Sequence, residues 1–567
     1  MKSTRTTIFF LLLLVGAFLG LAVRCFYLQY FRNDHYSRLC LEQKRSLQFR
    51  QPQRGVILDS RGRVLAASNR IQTIFAEPRA IADAKDISNE LAGIVDIGAH
   101  EICRQILESK NPGFVKIVTD AEPAQCSAAR RIKGMGTQTD WQRNYPMGQL
   151  VGNIVGFTSS DHRGLEGIEL KYNGQLSGSG SSDIFFADVR RRPICLKEQN
   201  GTLTNGVGII LTLDATIQQI VRNELLKQYE EFEAESAVAI VADPKTGAIL
   251  AIVSIPDFDP RQRGSVDPNS LRNRAITDPF EPGSMIKPIV VAIAVDSGAI
   301  RKDETIFCEN GNYHGKGFGR INEYRNHRFG DLKVREVLVK SSNIGMAKIG
   351  QKMGKQKLYN GLRLFGFGSQ SGIELPGEVE GLLRPTSQWS GYSVTRIPYG
   401  YEINVTAMQM LQAYCILANG GRLVRPFMVK AVVDNNGEIV QIKRPPPPVG
   451  YIIKREVAEW IVNDCLVGVV NERNSGGTGW RAKLDKWQVF GKTGTANIAR
   501  IGQAGYEDNS NIASFVAGAP AEDPAIVVLV SIRRPNGRLG KGDSGGAVAS
   551  PVAGRIIEKT LTYLENR

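Results

Sequence analysis

Histidine is scarce in this sequence, with only His35, His100, His162, His314 and His327 among 567 residues. No two of them stand at HExxH or comparable ligand spacing, which argues against a histidine-rich metal site and leaves few candidates for a Ser-His-Asp triad. The eight cysteines (Cys25, Cys40, Cys103, Cys126, Cys195, Cys308, Cys415 and Cys465) are scattered, and no CxxC occurs. Zinc ribbons and thioredoxin-like redox chemistry are thereby disfavoured, and the spacing suits buried free thiols, with room for one or two disulfides in an exported domain. Nothing in the pattern asks for a metal or a cofactor. Long low-complexity tracts are missing too: at 42% hydrophobic and 22% charged residues the composition is that of a folded protein, not a disordered or fibrous one. Acidic residues are outnumbered, 56 against 71 Lys and Arg, for a net charge of +15. That excess implies an anionic partner or surface, whether nucleic acid, acidic lipid or an anionic polymer. The length suggests roughly two to four domains, each able to bury its own core.

One long apolar run is present. Ile8 to Val23 carry no charge, and continuing past Arg24 to Leu28 gives a segment long enough to cross a bilayer core. Arg24 can snorkel, and Tyr27 falls near an interface. Lys2 and Arg5 precede the run, as in a secretory signal, and Gly20-Leu21-Ala22 offers a cleavage site. An uncleaved signal anchor is the preferred reading. Cys25 follows no small residue, which argues against a lipoprotein signal. Basic residues flank both ends (Lys2 and Arg5 before; Arg24, Arg32, Arg38, Lys44, Arg45 and Arg50 after), so the positive-inside count does not set the orientation. No comparable run follows, which predicts a single-pass protein. Residues 1–54 hold nine Lys or Arg against two acids, Asp34 and Glu42. Nearly half the net excess therefore surrounds the anchor, which shifts the expected partner from nucleic acid to anionic lipid head groups.

Behind the anchor the pattern is mixed. Gln53 to Gly62 reads as a short strand entering an Asp/Gly turn, residues 83–110 have helical spacing, and Gly174–Ser182 reads as a loop. Ile209–Asp214 reads as a strand whose Asp214 caps a helix around 217–229. A second module begins near Ser236, where the apolar runs 237–242 and 248–253, joined by Asp243-Pro244-Lys245-Thr246-Gly247, predict a hairpin. Helical patterns fill much of 284–420, Pro445–Pro448 reads as an extended spacer within a surface loop, and strands return at Trp487–Phe490, Ser514–Gly518 and Ile526–Ile532. Strands at both ends with helices between predict an α+β domain whose sheet joins the two ends of the module.

Three short motifs carry chemistry. Ser284-Met285-Ile286-Lys287 is an S-x-x-K. If Ser284 begins a helix, Lys287 lies one turn along on the same face, and a neutral lysine amine can take the serine proton and make a nucleophile without histidine. Ser341-Ser342-Asn343 supplies S-x-N, 57 residues after Ser284, and Lys492-Thr493-Gly494-Thr495 supplies K-T-G-T, 149 residues after Asn343. Gly494 permits close backbone approach by a ligand, and the threonine hydroxyls and Lys492 suit a substrate carboxylate. Each triplet is weak alone. In this order, at a helix start, a helix-end loop and an edge strand, they form the active-serine set of penicillin-binding proteins and class A β-lactamases. His314 and His327, between the first two motifs, read as surface or loop residues.

At these residues the chain resembles the class B penicillin-binding proteins, specifically the division (septal) peptidoglycan D,D-transpeptidases of the FtsI family; the alternatives are an elongation-type transpeptidase, a D,D-carboxypeptidase or a catalytically idle divisome scaffold. Arg54-Gly55…Asp59-Ser60-Arg61-Gly62 resembles that family's N-terminal box, Gly164–Glu169 the segment closing its pedestal, Arg272–Ser284 its approach to the serine, and Gly545–Pro551 its C-terminal box. Within the first box, Arg54 and Asp59 are expected to anchor the pedestal rather than touch substrate. The resemblance implies a transmembrane anchor at 1–28, an elongated mixed α/β pedestal (dimerisation-type) domain at 29–230, and a penicillin-binding, serine β-lactamase-like transpeptidase domain at 235–567 built from an antiparallel sheet with helices. It implies that Ser284 attacks the penultimate D-Ala of a stem pentapeptide and that Lys287 is the general base. Ser341 would relay protons between Lys287, Lys492 and the leaving amine, and Asn343 would hold a substrate amide. Thr493, Gly494 and Thr495 would form the donor site, with Lys492 supplying positive charge and the N–H groups of Ser284 and Thr495 the oxyanion hole. Neutral Lys287 would be favoured by burial and by Lys492. Expected partners are peptidoglycan stem peptides, β-lactams and the membrane, with no nucleic acid. Some 200 residues ahead of the second module are too few for a glycosyltransferase beside a pedestal. The resemblance therefore implies a separate polytopic (SEDS-type) glycan polymerase and other divisome proteins, acting with an extracytoplasmic catalytic domain at the septum. Only about 16 residues follow Pro551, too few for the sensor repeats of some sporulation relatives. Asn497 departs from the Gln or basic residue usual there.

Overall fold

The computed structural model describes every residue except Met1, Lys110, Pro112, 188–192, 263–265, 444–449, Ile501 and Ala504, and describes side chains outside 1–3, 5, 40–50 and 182–200. The proline spacer at 445–448 lies outside the described residues. Two compact units are present: Met1–Gln53 with Gly178–Gly206, and Arg54–Ser177 with Val207–Arg567.

The first unit opens with the helix Lys2–Tyr30, whose Thr6–Tyr30 portion contains an 18-residue window of mean hydropathy 2.5, none of it buried. Among the described residues it is the one helix long and apolar enough to cross a bilayer. A second helix, Asn33–Lys44, follows, and then a three-stranded antiparallel sheet in the order Arg45–Arg50, Ser181–Ala187, Pro193–Asn200. The Gly/Ser stretch expected as a loop at 174–182 is a helix at Asn173–Ser177 followed by that central strand. Local composition is overridden because Leu176 is fully buried and the Ser177 hydroxyl donates to the Asn173 carbonyl one turn back.

In the second unit a mixed sheet runs in the order Ile439–Ile442, Val429–Val433, Gly208–Leu211, Ile57–Leu58, Val64–Ala76, Val115–Thr119, with Met135–Asn144 also paired to Val64–Ala76. Ile57–Leu58 and Gly208–Leu211 pair in parallel, and the other pairs are antiparallel. The strand expected at 53–62 is thus short and ends in the Asp59–Gly62 turn, where Gly62 N donates to Asp59 O. The helical stretch expected at 83–110 is two helices, Ala84–Ala92 and Ala99–Leu107, the first capped by Asp83 and the second preceded by Gly98. The break lets Leu91, Val95, Ile102 and Ile106 all enter one small core.

A buried ion cluster includes Arg143 of the strand Met135–Asn144. Glu169 is fully buried and accepts from Arg54 Nε (2.6 Å) and Arg143 Nε (2.6 Å). Arg54 also donates to the carbonyls of His162 and Glu169 and to Asn173 Oδ1. Asp59 accepts from Arg61 N, Arg63 N, Arg63 Nε and Ala215 N. Arg54 and Asp59 are therefore structural anchors, as read from the sequence.

The predicted hairpin forms from Ser236–Ala242 and Ile249–Ile255, and Asp214 caps the helix Ala215–Glu231 through Thr216 N and Ile217 N. With the later strands the hairpin makes a five-stranded antiparallel sheet, in the order Ile249–Ile255, Ser236–Ala242, Ile526–Arg533, Tyr506–Ala519, Phe490–Ala499. Strands from both ends of the module do share one sheet. Ala237, Ala239, Val241, Phe515 and Val530 pack with residues of the helices Ala215–Glu231 and Ser550–Glu565. Val238, Ile240, Val516 and Leu529 pack with residues of Lys287–Asp296 and Ala407–Ala418. Covered on both faces, these strands read as continuous apolar runs instead of alternating ones. The last edge strand begins at Phe490 and not at Trp487. Phe490 pairs with Gly518, and the strand it pairs with ends at Ala519, ahead of Pro520, which has no N–H to extend the ladder. Among the described residues Cys25, Cys103, Cys126, Cys308, Cys415 and Cys465 are free thiols, the last four buried.

Removing one member of the Arg54–Glu169–Arg143 cluster strands buried charge, a change that costs about 3–5 kcal/mol. Glu169→Ala should lower the denaturant midpoint of the detergent-solubilised chain accordingly. Asp523→Ala, at the exposed pair with Lys245, should barely move it. Equal midpoints for the two variants would refute the cluster's structural role.

Candidate active site

The S-x-x-K serine sits on a tight turn. Gly283–Ile286 is a single 3-10 turn that runs into the helix Lys287–Asp296. Gly283 takes φ +53°, a left-handed backbone that favours glycine, and its N–H donates to the Gly400 carbonyl at 3.2 Å. Below it, Met285 and Ile286 are fully buried, and the Tyr414 hydroxyl donates to the Met285 carbonyl at 2.8 Å. The turn is thus pinned from beneath while Ser284, half-buried, faces a cleft of about 260 Å³. The helix after it is buried from Lys287 through Ala294, so the Lys287 stem runs through apolar core to reach the site.

S-x-N lies in the connection between the helices Val334–Val339 and Asn343–Met353. Ser341 has φ +58°, a strained conformation for a residue with a side chain. Its carbonyl accepts from Lys287 Nζ at 2.7 Å. Lys287 Nζ also donates to Asn343 Oδ1 at 2.8 Å and lies 3.2 Å from Ser341 Oγ. Lys492 Nζ reaches the same Ser341 Oγ at 2.9 Å and the Thr493 carbonyl at 3.3 Å. One hydroxyl therefore stands between two lysine amines. Lys287 hydrogen-bonds to the S-x-N serine and asparagine and not to Ser284, among the described residues.

Both amines are fully buried. Burial holds Lys287 down to about 7, opposed by the nearby Glu323 carboxylate. Lys492 is held well below the usual lysine range, first by burial and then by the charge of Lys287. Two ammonium groups on one oxygen, out of reach of water, repel each other, so the array favours a neutral amine in the pair. Burial shifts Lys287 toward its neutral form, and the repulsion between the lysines is expressed on Lys492.

K-T-G-T lies within the edge strand Phe490–Ala499, which extends past the strand end expected at Phe490. A β-carbon on Gly494 would stand 2.8 Å from Met285 Cγ and 3.1 Å from the Pro282 carbonyl. Glycine at this position therefore also seats the strand against the serine turn. Thr493 Oγ1 lies 2.7 Å from Thr478 Oγ1, and Thr495 Oγ1 accepts from Gly545 N at 3.1 Å. Ser284, Ser341, Asn343, Thr493 and Thr495 all line the cleft. His314 is exposed on the strand Asn312–Gly315, and His327 is exposed at the cleft wall.

Glu323, Thr478 and Arg481 also line the cleft and were not singled out from the sequence. Glu323 is 4% exposed and accepts from the Ser342 hydroxyl, from Asn343 N (2.6 Å) and from Ile344 N (3.3 Å). It caps the helix that carries S-x-N from 20 residues upstream, a separation outside local capping patterns. The arrangement combines a half-buried serine, a buried lysine shifted toward its neutral form, a hydroxyl within reach of two amines and an edge strand able to take an extended peptide. These are the parts of a histidine-free acyl-transfer site.

Two family models match the chain. The penicillin binding protein transpeptidase domain covers residues 237–558, and the penicillin-binding protein dimerisation domain covers 49–209. Stage V sporulation protein D of Bacillus subtilis is 31% identical over 98% of this chain and 85% of that protein. A probable peptidoglycan D,D-transpeptidase PenA of Neisseria meningitidis is 31% identical over 100% and 94%. The crystal structure of penicillin binding protein 3 of Mycobacterium tuberculosis complexed with aztreonam superposes with a TM-score of 0.70 at 25% identity, covering 91% of this chain and 97% of that one. With the three active-serine motifs gathered in one cleft and both domain types present, the chain belongs to the penicillin-binding protein family of peptidoglycan transpeptidases.

Proposed function

We propose that this protein is a serine-type D,D-transpeptidase that cross-links peptidoglycan stem peptides during septal wall synthesis and is acylated by β-lactams. The observation that carries the reading is the Lys287–Ser341–Lys492 array opening on the cleft that holds Ser284. Ser284 Oγ bonds to the penultimate D-Ala carbonyl carbon and gives its proton to the Lys287 amine, as the sequence resemblance implied. The tetrahedral oxyanion lies against the N–H groups of Ser284 and Thr495. Ser341, within reach of both amines, passes the proton to the departing nitrogen, and the C–N bond to the terminal D-Ala breaks. Asn343 holds a donor amide, and Thr493 and Thr495 present hydroxyls to the donor carboxylate. The amine of a neighbouring stem then attacks the ester, forms the cross-link and releases Ser284.

Residues 1–28 would anchor the chain in the membrane, with 29–230 as pedestal and 235–567 as the catalytic domain on the extracytoplasmic side. The mixed sheet supports a rigid seat for that domain, because strands at 429–442 continue the sheet begun at 57–76 and 208–211. The working setting is a septal complex with a separate polytopic glycan polymerase.

Ser284→Ala should abolish covalent labelling by a fluorescent penicillin, with the label in the parent protein mapping to Ser284 by mass spectrometry; stoichiometric labelling of the variant would sink the assignment. A second test uses pH. The base acts as the neutral amine, whose fraction grows as pH rises through the Lys287 value of about 7. The penicillin acylation rate should therefore climb across that region. Because the Glu323 charge raises Lys287, Glu323→Gln should move the climb to lower pH. A rate that falls as pH rises through 7, or a midpoint that moves upward in Glu323→Gln, would exclude Lys287 as base.

A further inference from the structure

The donor carboxylate needs a counter-charge, and K-T-G-T does not offer one in the open cleft. Lys492 is fully buried, with its amine on Ser341 Oγ and the Thr493 carbonyl. The lysine and arginine side chains that line the cleft are Arg325, Lys340 and Arg481. Arg325 Nη2 lies 3.8 Å from Asp543 Oδ1, and Lys340 Nζ lies 3.5 Å from Glu336 Oε1. Arg481 has no carboxylate partner among the described residues.

Arg481 is nonetheless held in place. Its Nη1 donates to the Gly546 carbonyl at 3.2 Å, and its guanidinium lies 4.9 Å from the centre of the Trp480 ring. The segment that accepts this bond also touches both threonines of K-T-G-T. Gly545 N donates to Thr495 Oγ1 at 3.1 Å, and Thr493 Cγ2 lies 3.6 Å from where a β-carbon on Gly546 would stand. Thr478, three residues before Arg481, shares a hydrogen bond with Thr493. A guanidinium has five N–H donors in a planar fork, and this one spends one of them on Gly546. The remaining donors suit a carboxylate bound in bidentate fashion.

We propose that Arg481 is a specificity-determining residue that recognises the terminal carboxylate of the D-alanyl donor, alongside the Thr493 and Thr495 hydroxyls, while buried Lys492 serves proton transfer through Ser341. The proposal rests on the transpeptidase reading above and moves the carboxylate's counter-charge from Lys492, where the family resemblance put it, to Arg481.

The test uses the full chain in detergent and two thioester donors, an N-acyl-D-alanyl-thioglycolate with its free carboxylate and the methyl ester of the same compound. Release of the thiol reports kcat/KM. Loss of a charge-assisted hydrogen-bond pair should lower kcat/KM of Arg481→Met on the free acid about 10- to 100-fold more than on the ester. Arg481→Lys, which keeps the charge without the fork, should lose less. The acid-to-ester ratio does not depend on how much of a preparation is folded. An acid-to-ester ratio unchanged by Arg481→Met overturns the proposal, whether both rates fall equally or neither falls. Wild-type protein that is labelled by penicillin at Ser284 while this ratio stays unchanged removes Arg481 alone. Wild-type protein that takes no label removes the transpeptidase reading as well.

Discussion

Two lysine amines, fully buried around one serine hydroxyl, set the terms for everything else in the catalytic half of the chain. An ammonium group is expensive to remove from water, and two that share an oxygen are more so. The protein answers with acceptors that come from separate elements: the Ser341 carbonyl, Asn343 Oδ1 and the Thr493 carbonyl. It also places a single buried carboxylate, Glu323, close enough to oppose the loss of charge on Lys287. A lysine in such surroundings carries a sizeable neutral fraction near neutral pH, which a solvated lysine does not.

Holding that array demands a rigid frame. Lys287 is carried by a helix buried through nearly its whole length, Lys492 by a strand of a sheet covered on both faces, and Ser341 by a strained turn between two helices. The strand and the serine turn meet at Gly494, where a side chain would strike Met285 and Pro282. The strain at Ser341 is sustained because its carbonyl and its hydroxyl are both engaged by buried amines. Farther away, the Arg54–Glu169–Arg143 cluster uses the same device for a structural end, with buried charge satisfied by several partners distant in sequence.

Much of this was legible in the order of residues. The apolar run appears as one helix, Asp214 caps the helix it precedes, and the 237–253 runs form the expected hairpin. The three motifs converge because each carries its own local instruction: a glycine-led turn, a serine at a helix entry, a glycine in an edge strand. Local pattern misled where burial far along the chain outweighed it. Leu176 and the Ser177–Asn173 bond turn a glycine- and serine-rich stretch into helix. Pairing with a partner strand that runs into Pro520 starts the last strand at Phe490, so K-T-G-T falls inside it.

The sequence by itself determined the chemistry: a serine, two lysines, an asparagine and two threonines in a diagnostic order, behind an apolar helix. Those assignments depend on residue type and short spacing, which the chain states directly. Which groups touch was fixed by packing between distant parts of the chain. Among the described residues it joined Lys287 to Ser341 and Asn343 instead of Ser284, brought Glu323 under S-x-N, and gave Arg481 no acidic partner at the cleft. Such contacts bridge 20 to 150 residues of chain, and burial, which moves the lysines away from their ordinary protonation, is a property of the packed core and has no signature in local spacing.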